Sequence, residues 1–457
     1  MINPVKTQLH ILQLEGYDWQ RFMKWWFKHP LTFSTSQKKP LAYTFKTKLI
    51  LATAFILLIL IVFLSRFPFN LIAAISLALE PFPLLLLSFL LIKPYEIIRR
   101  FVTIELSRRR ILNHAHLTII GIVGSYGKTS TKDFLAGILD TEKQTLKTPE
   151  SYNTVFGIAK VIDLELHKKL NFFVCEMGAF VRGEVKELTH MVPPKYSILT
   201  AIGTQHLERF GSLTNTTLAK FEIVDVVGPE NALVNLDNKY IREHLDLPPY
   251  QKVKTYSLEN PEADFFVKAI TINKDGTVFS LVHRGKTYPF KTKLFGTSNL
   301  TNLSAAIGMS FMLGVDPKAI QEAVEKIVSS PHRLELIKVG NATLIDNAYS
   351  SNEEGFTRII LDLKSLPGKK ALITPGIIEL GKETSSTHEK IGSLVAEVFD
   401  QVILVGRSER TENLSRGIAG KVPIVYLDNN SSVWPTIDSL SRKFDWILLE
   451  NDLPDNF

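Results

Sequence analysis

Hydrophobic and polar positions follow two regimes along this chain. Leu49 to Leu64 (LILATAFILLILIVFL) is apolar throughout and carries no charge. Counted from Thr47 to Phe67, it reaches the roughly 20 residues a helix needs to cross a hydrocarbon core, with Lys48 and Arg66 at its ends to reach the headgroups. A second apolar run, Phe67 to Ile92, is interrupted by Asn70, Glu80, Pro81 and Pro83. It is long enough to span, with a kink expected around Pro81. The pattern predicts an N-terminal transmembrane helical hairpin with spans at about 47–67 and 69–92.

Beyond residue 110 the apolar runs shorten. Leu117–Val123, Asn171–Cys175, Tyr196–Thr200, Lys370–Ile373, Val402–Val405 and Trp446–Glu450 read as buried strands. Lys132–Leu139 reads as a helix. Lys268 to Phe290 alternates around Asp275-Gly276 and Arg284-Gly285 turns, as hairpins do. Strands separated by helical stretches predict doubly wound α/β layers.

Composition narrows the classes. Of 457 residues, 22% are charged and 45% hydrophobic, which excludes wholesale disorder. One cysteine, Cys175, excludes an intramolecular disulfide and a multi-cysteine zinc site. The net charge of +7 admits nucleic acid, membrane or anionic ligands as partners. Its placement decides: Lys6, Arg21, Lys24, Lys28, Lys46 and Lys48 precede the first apolar run, and Lys93, Arg99, Arg100, Arg108, Arg109 and Arg110 follow the second. By the positive-inside rule both flanks are cytoplasmic, so the chain is expected at the inner membrane with its later domains in the cytoplasm. No nucleic-acid partner is expected. Trp19, Trp25, Trp26 and Phe27 among lysines read as an interfacial amphipathic segment. Glu80 either marks function at membrane depth or sits at a break in the helix.

The chemistry starts where the 117–123 strand runs into Gly124-Ser-Tyr-Gly-Lys-Thr-Ser-Thr131. Strand, glycine turn, then helix is the context of a phosphate loop. Gly124, Ser125, Gly127 and Ser130 belong to a backbone curl that faces phosphates, Lys128 reaches the β/γ-phosphates, and Thr129 places a hydroxyl on Mg²⁺. Ile122 stands where the strict motif has its first glycine. Glu176, just past the second strand, is placed for a metal ion. His206 follows the third strand, where metal ligand, base and plain polar loop residue are all open readings.

These segments, in this order, resemble the Mur ligase family, ATP-dependent amide-forming enzymes of cell-wall precursor synthesis, and within it the MurF type, which adds D-alanyl-D-alanine. The blocks are GIVGSYGKTST (121–131), Thr148 to Gly157, Glu176-Met-Gly-Ala, His206 to Leu213 with Ala219-Lys220, Asn299 to Ala306, Arg333-Leu-Glu335, Leu344 to Asn352, and Glu379-Leu-Gly381 with His388. The resemblance implies ATP and Mg²⁺ and an acyl-phosphate intermediate. It implies that Lys128, His206 and Lys220 serve catalysis. Thr129, Glu176, His206 and a carbamylated Lys220 would hold metal. Asn299 and Asn302 would contact adenine, with Arg333 and Asp346 reaching the nucleotide from the last domain. Ser151, Asn153 and Thr154 would face a peptide-bearing cell-wall precursor, soluble or lipid-linked, whose partner is an amino acid or dipeptide.

The sequence departs from the family in three places. The membrane hairpin stands where a UDP-gripping domain is usual. Leu218 replaces a second lysine, and Asp346-Asn347 stands for Asp-Asp. The expected organisation is a membrane module over 1–110, a central P-loop α/β ATPase domain over 111–330 and a Rossmann-like α/β domain over 331–457. Two other functions compete: a membrane-associated poly-glutamate-type synthase of the same superfamily, and a non-catalytic ATP-binding membrane module. Arg333, Asp346 and the last domain favour the Mur-type ligase over the first. The joint presence of Lys128, Glu176, His206 and Lys220 argues against the second.

Overall fold

The computed structural model describes every residue except 1–3, 30–40, 66–67, 151, 204–206, 350, 379, 381–382, 429–431 and 452–457. The chain divides into two compact units, 1–102 and 103–455.

The first unit is helical: α1 (Pro4–Leu14), α2 (Trp19–Lys28), α3 (Phe45–Leu64), α4 (Phe69–Leu79) and α5 (Phe82–Leu112), whose last turns belong to the second unit. Asp18 caps α2 by accepting from the amides of Gln20 and Arg21, and Thr44 caps α3. Leu9, Leu12, Phe22, Ile50, Leu85 and Phe89 form the core, with Trp26 stacked on Phe82 at 4.4 Å. Lys46 pairs with Glu96 at 2.7 Å and lies over the Tyr17 ring.

Among the described residues one helix, α3, is long and apolar enough to cross a membrane; most of it faces outward, with Phe55, Ile59, Phe63 and Leu64 exposed. The expected second span is not one kinked helix. It breaks at Glu80–Pro81, because proline lacks an amide donor and drives the preceding residue out of the helical region. Glu80 accordingly sits at φ −129°, ψ 84° and closes α4. Its carboxylate accepts from the Phe82 amide and from Gln8, so at this joint it has a structural task. Helix α5 then continues through Pro94 well beyond Ile92.

The second unit holds two sheets. Around the first lie β1 (Thr118–Val123), α6 (Lys128–Leu139), β2 (Thr145–Lys147), α7 (Val155–Glu165), β3 (Phe172–Glu176), α8 (Glu184–Met191), β4 (Tyr196–Leu199), α9 (Leu207–Phe210), α10 (Leu213–Val227), β5 (Ala232–Asn235), α11 (Lys239–Leu245), β6 (Lys254–Ser257), β7 (Phe265–Asn273), β8 (Gly276–His283), β9 (Lys286–Thr292), α12 (Gly296–Met312) and α13 (Pro317–Lys326). The second is built from β10 (Glu335–Val339), β11 (Ala342–Asn347), α14 (Glu353–Lys364), β12 (Lys370–Thr374), α15 (Thr384–Val398), β13 (Gln401–Val405), α16 (Glu409–Ile418), β14 (Ile424–Leu427), α17 (Val433–Leu440) and β15 (Trp446–Glu450).

The nine-stranded sheet runs β2-β3-β1-β4-β5-β6-β7-β8-β9, parallel up to β7 and antiparallel through the two expected hairpins. The six-stranded sheet runs β10-β11-β15-β12-β13-β14, antiparallel only at β10–β11. Parallel strands covered on both faces are apolar throughout, and β3, β12 and β15 are buried at every position. Register places the site: Ile122 lies level with Glu176, and Val123 with Leu199. The ends of β1, β3 and β4 therefore open onto one edge, where α/β sheets bind ligands.

Helices α15 and α16 cross at a glycine pair. A Cβ on Gly392 would sit 2.4 Å from the Leu414 carbonyl oxygen, and one on Gly417 2.2 Å from that of Glu389. Both obstacles are backbone and cannot swing aside. Gly392→Ala is expected to cost about 1–3 kcal/mol, read as an earlier midpoint in chemical denaturation of the full chain.

Candidate functional site

The site begins at the turn between β1 and α6. A Cβ on Gly124 would lie 1.9 Å from the Thr200 hydroxyl, so only glycine lets the loop lie against the end of β4. The Ser125 amide donates to the Ala201 carbonyl at 2.8 Å, and the Thr200 hydroxyl donates to the Tyr126 carbonyl at 2.6 Å. Gly127, at φ +81°, starts α6 without a side-chain cap, four residues earlier than the apolar pattern alone indicates. The first amides of α6 are left to face the cleft, an arrangement suited to an anion.

Three side chains meet the end of β3. The Thr129 hydroxyl donates to Glu176 Oε2 at 2.9 Å, Asn153 Nδ2 donates to Oε1 at 3.0 Å, and Lys132 Nζ stands 3.7 Å from Oε2. Lys128 curls back onto its own loop, donating to the carbonyls of Gly124 at 2.8 Å and Ser125 at 3.2 Å. Burial holds its pKa below the ordinary lysine value, Glu176 opposes that shift and Arg333 adds to it. Lys220 on α10 is buried, with Nζ 5.6 Å from the Phe210 ring centre. Burial, and then the charge of Lys128, push its pKa well down.

Across from these lies the second sheet, and a cleft of about 1100 Å³ runs between them. Arg333 lines it, its guanidinium stacked 3.9 Å from the centre of the Tyr349 ring. The Tyr126 hydroxyl donates to Glu354, which also pairs with Arg358 at 3.1 Å. His388 accepts from the Ile377 amide through Nε2 and donates to the Thr384 carbonyl through Nδ1, which fixes the Ile377 wall of the cleft.

Of the residues the sequence singled out, Ser125, Gly127, Lys128, Thr129, Asn153, Glu176 and Arg333 line this one cleft, with Gly124 supporting the turn. Others are placed differently. Asn299 spends its amide on the Phe295 carbonyl and Ser329. Asn302 packs beneath Gly127, where an added Cβ would meet its Oδ1 at 2.4 Å, so it supports the loop from behind. Ser130 is buried within α6, and Thr154 caps α7 by accepting from the Gly157 amide. Asp346 turns to His332 Nδ1 at 2.8 Å and to the Ala348 amide at 3.0 Å, away from the cleft. His332, Glu335 and Asp346 gather within 4.8 Å but bond one another, and so fix the backbone on either side of Arg333. Ser151, His206, Glu379 and Gly381, like Arg66 in the first unit, lie outside the described residues.

Sequence reasoning missed Tyr126, Lys132, Tyr349, Glu354 and Arg358. Lys132 carried a signal, one helical turn beyond Lys128; Tyr126 and Tyr349 lie inside quoted blocks without having been singled out, and Glu354 and Arg358 stand in no motif and meet the site only through the fold.

The donor set suits Mg²⁺. The Thr129 hydroxyl and the Glu176 carboxylate lie side by side and would offer it the hard oxygen ligands it takes.

The chain is similar to known proteins. Residues 122–310 match the Mur ligase middle domain. The UDP-N-acetylmuramoyl-tripeptide--D-alanyl-D-alanine ligase of Escherichia coli K12 is 29% identical over 304 residues, 66% of this chain and 67% of that protein. The same ligase of Bacillus subtilis 168 is 26% identical over 294 residues, 63% of each. The chain thus spans about two thirds of the length of these curated relatives. A crystal structure of MurF from Acinetobacter baumannii superposes with a TM-score of 0.68 at 25% identity over 77% of each chain. MurF from Thermotoga maritima in complex with ADP shares the fold, with a TM-score of 0.68 at 23% identity over 78% of this chain and 80% of that one.

A buried acid behind the cleft residue Ser351 gives the fold a pH signature. Glu450 ends β15 fully buried, accepting from Asn347 Nδ2 at 2.9 Å and from the Ser351 hydroxyl. Burial pushes its pKa up to about 7, from an ordinary 4.5. The folded state therefore holds this proton more tightly than the unfolded chain, and the stabilisation is full below pH 4.5 and lost as pH rises to about 7. Glu450→Gln is expected to remove that decline, on the order of 3 kcal/mol, when denaturation midpoints are compared at the two ends of this range.

Proposed function

We propose that this chain, which carries a Mur ligase middle domain and is a homologue of the MurF ligases, is an ATP-dependent amide-forming ligase that joins D-alanyl-D-alanine to a UDP-linked muramoyl tripeptide. The observation that carries the reading is the meeting of Lys128, Thr129 and Glu176 at one edge of the first sheet, with Arg333 facing them from the second. Nothing in the relatives favours a lipid-linked acceptor.

A carboxylate oxygen is a poor leaving group, so amide formation needs activation. Transfer of the γ-phosphoryl group of ATP to the acceptor carboxylate gives an acyl phosphate. The amine attacks its carbonyl carbon, and inorganic phosphate departs from the tetrahedral adduct. The amides of Gly127 and the first turn of α6 receive the phosphates. Lys128 exchanges the two loop carbonyls for phosphate oxygens, and Arg333 adds a second cation from across the cleft, so charge on the transferring group is met from both sides. Asn153, tied to Glu176, positions the acceptor. Thr129 and Glu176 would hold Mg²⁺, which lowers the negative charge of the phosphates when bound. Lys220 is held toward its neutral amine, the form that adds carbon dioxide to become an anionic carbamate ligand, and His206 would serve the same second metal.

The first unit is read as an anchor at the cytoplasmic face of the inner membrane. Helix α3 is one crossing; α4 with the first half of α5, whose Phe69, Leu71, Ile72, Leu87 and Leu91 are exposed, is the return. Basic residues on both flanks support that orientation.

In membranes, phosphate release is expected to require both the tripeptide precursor and the dipeptide. Lys128→Ala should lower it by about 10²–10³-fold; release that ignores the dipeptide would remove the ligase reading. Lys220→Ala should lose activity and regain part of it with added short carboxylates; undiminished activity would exclude the carbamate. The full chain should stay in the membrane pellet through alkaline carbonate, and a variant lacking the first 64 residues should lose the α3 crossing and be released more readily.

A further inference from the structure

The chemistry above leaves a buried cation beside Glu176 unused. Lys132 lies one turn beyond Lys128 on α6 with no exposed surface. An ammonium so deep needs oxygen atoms around it. Its Nζ donates to the Glu150 carbonyl at 2.5 Å and stands 3.7 Å from Glu176 Oε2 and 3.8 Å from Asp133 Oδ1. Asp133 is itself held by Lys147 at 2.8 Å and by the Ser330 hydroxyl at 2.8 Å.

Glu150 belongs to the segment that the ligase reading turns toward the acceptor. It adopts φ +43°, a left-handed conformation that a glutamate does not take without support. Thr148 and Asn153 are pinned at Glu176. The Glu176 amide donates to the Thr148 hydroxyl at 3.1 Å, Asn153 Nδ2 donates to Glu176, and the Gly178 amide donates to the Asn153 carbonyl at 2.8 Å. The Thr148 and Asn153 ties lie at the two ends of the segment. Lys132 supplies the tie between them, at the strained residue.

We infer that Lys132 is a positioning residue: through the Glu150 carbonyl and the Glu176 carboxylate it holds Glu150, between Thr148 and Asn153, in the place that receives the acceptor. The inference rests on the ligase reading for the identity of that acceptor. Methionine has the length of lysine without its donors, so Lys132→Met would free the Glu150 carbonyl while leaving Lys128 and Thr129 in place.

The test uses the full chain in membranes or detergent. For Lys132→Met the KM for the tripeptide precursor is expected to rise about tenfold or more, as loss of a charge-assisted contact predicts, while the KM for ATP stays within about twofold. A second readout needs neither substrate nor metal: a glutamate-specific protease should cut after Glu150 several-fold faster in the variant, with cleavage after Glu142 and Glu165 unchanged. Lys132→Gln, which keeps a shorter donor, carries the same comparison if the methionine variant does not accumulate. A uniform rise in cleavage at all three sites, or a fall in kcat with both KM values unchanged, would reduce Lys132 to a packing residue and overturn the inference. If the wild type shows no precursor-dependent turnover, the ligase reading fails instead, and the protease comparison still decides whether Lys132 holds the segment.

Discussion

The second unit is organised around a carboxylate that has almost no contact with water. Glu176 is 1% exposed, and an ionised carboxylate in such a place costs several kcal/mol unless cations and donors surround it. Its partners come from α6 and from the segment before α7, so satisfying one acid fixes Thr148 and Asn153 relative to the first turns of α6. Parallel register does the rest. With Ile122 level with Glu176, the glycine turn that follows Val123 has to lie beside the acid, and Thr129 in the first turn of α6 meets it. Thr129 and Lys132 both approach Glu176 on its Oε2 side.

The second sheet is joined to this centre through the backbone on either side of Arg333. His332 and Leu334 both have positive φ, a strain that persists only where the surroundings impose it. The imposing contacts are the Asp346 carboxylate on the His332 ring, Glu335 on the His332 amide, and the antiparallel pairing of Glu335 with Asp346. Their product is a guanidinium that stacks on Tyr349 and faces Lys128 closely enough to lower the lysine's pKa. Two cations held near each other repel until an anion lies between them. The repulsion at 128 and 333 is one that a polyphosphate lying between the two side chains would relieve.

Strands β1, β3, β4, β12, β13 and β15 were legible in the sequence because a strand covered on both faces is an apolar run, and the two hairpins because their turns carry Asp-Gly and Arg-Gly. Strands β2, of three residues, and β10, half-buried and polar, have no such signal and exist through their neighbours. The break at Glu80 was legible as a proline, though its severity depended on Gln8, a residue 72 positions away. The same boundary divides the site. Gly124 to Thr129 could be read because their roles follow from local chain geometry. Asn302, Asp346 and Lys132 could not, since each acts through a partner distant in sequence: Gly127 for the first, His332 for the second, Glu150 and Glu176 for the third. A motif names a residue; only the fold says whether it touches the ligand or the residue that does.

Lysines 132 and 220 make that point in one pair. Both are buried, and desolvation lowers the pKa of each. What separates them is the sign of the nearest charge. Lys132 lies between Asp133 and Glu176, which oppose the loss of its proton, and a backbone carbonyl takes its hydrogen bond. Lys220 feels Lys128, which promotes that loss. The first environment keeps a cation, suited to tying segments together and poor at attacking anything. The second favours a free amine with a lone pair, which is chemically useful only if something electrophilic reaches it. Composition cannot distinguish two such residues, and neither can burial. The charge pattern does: it opposes proton loss at Lys132 and promotes it at Lys220.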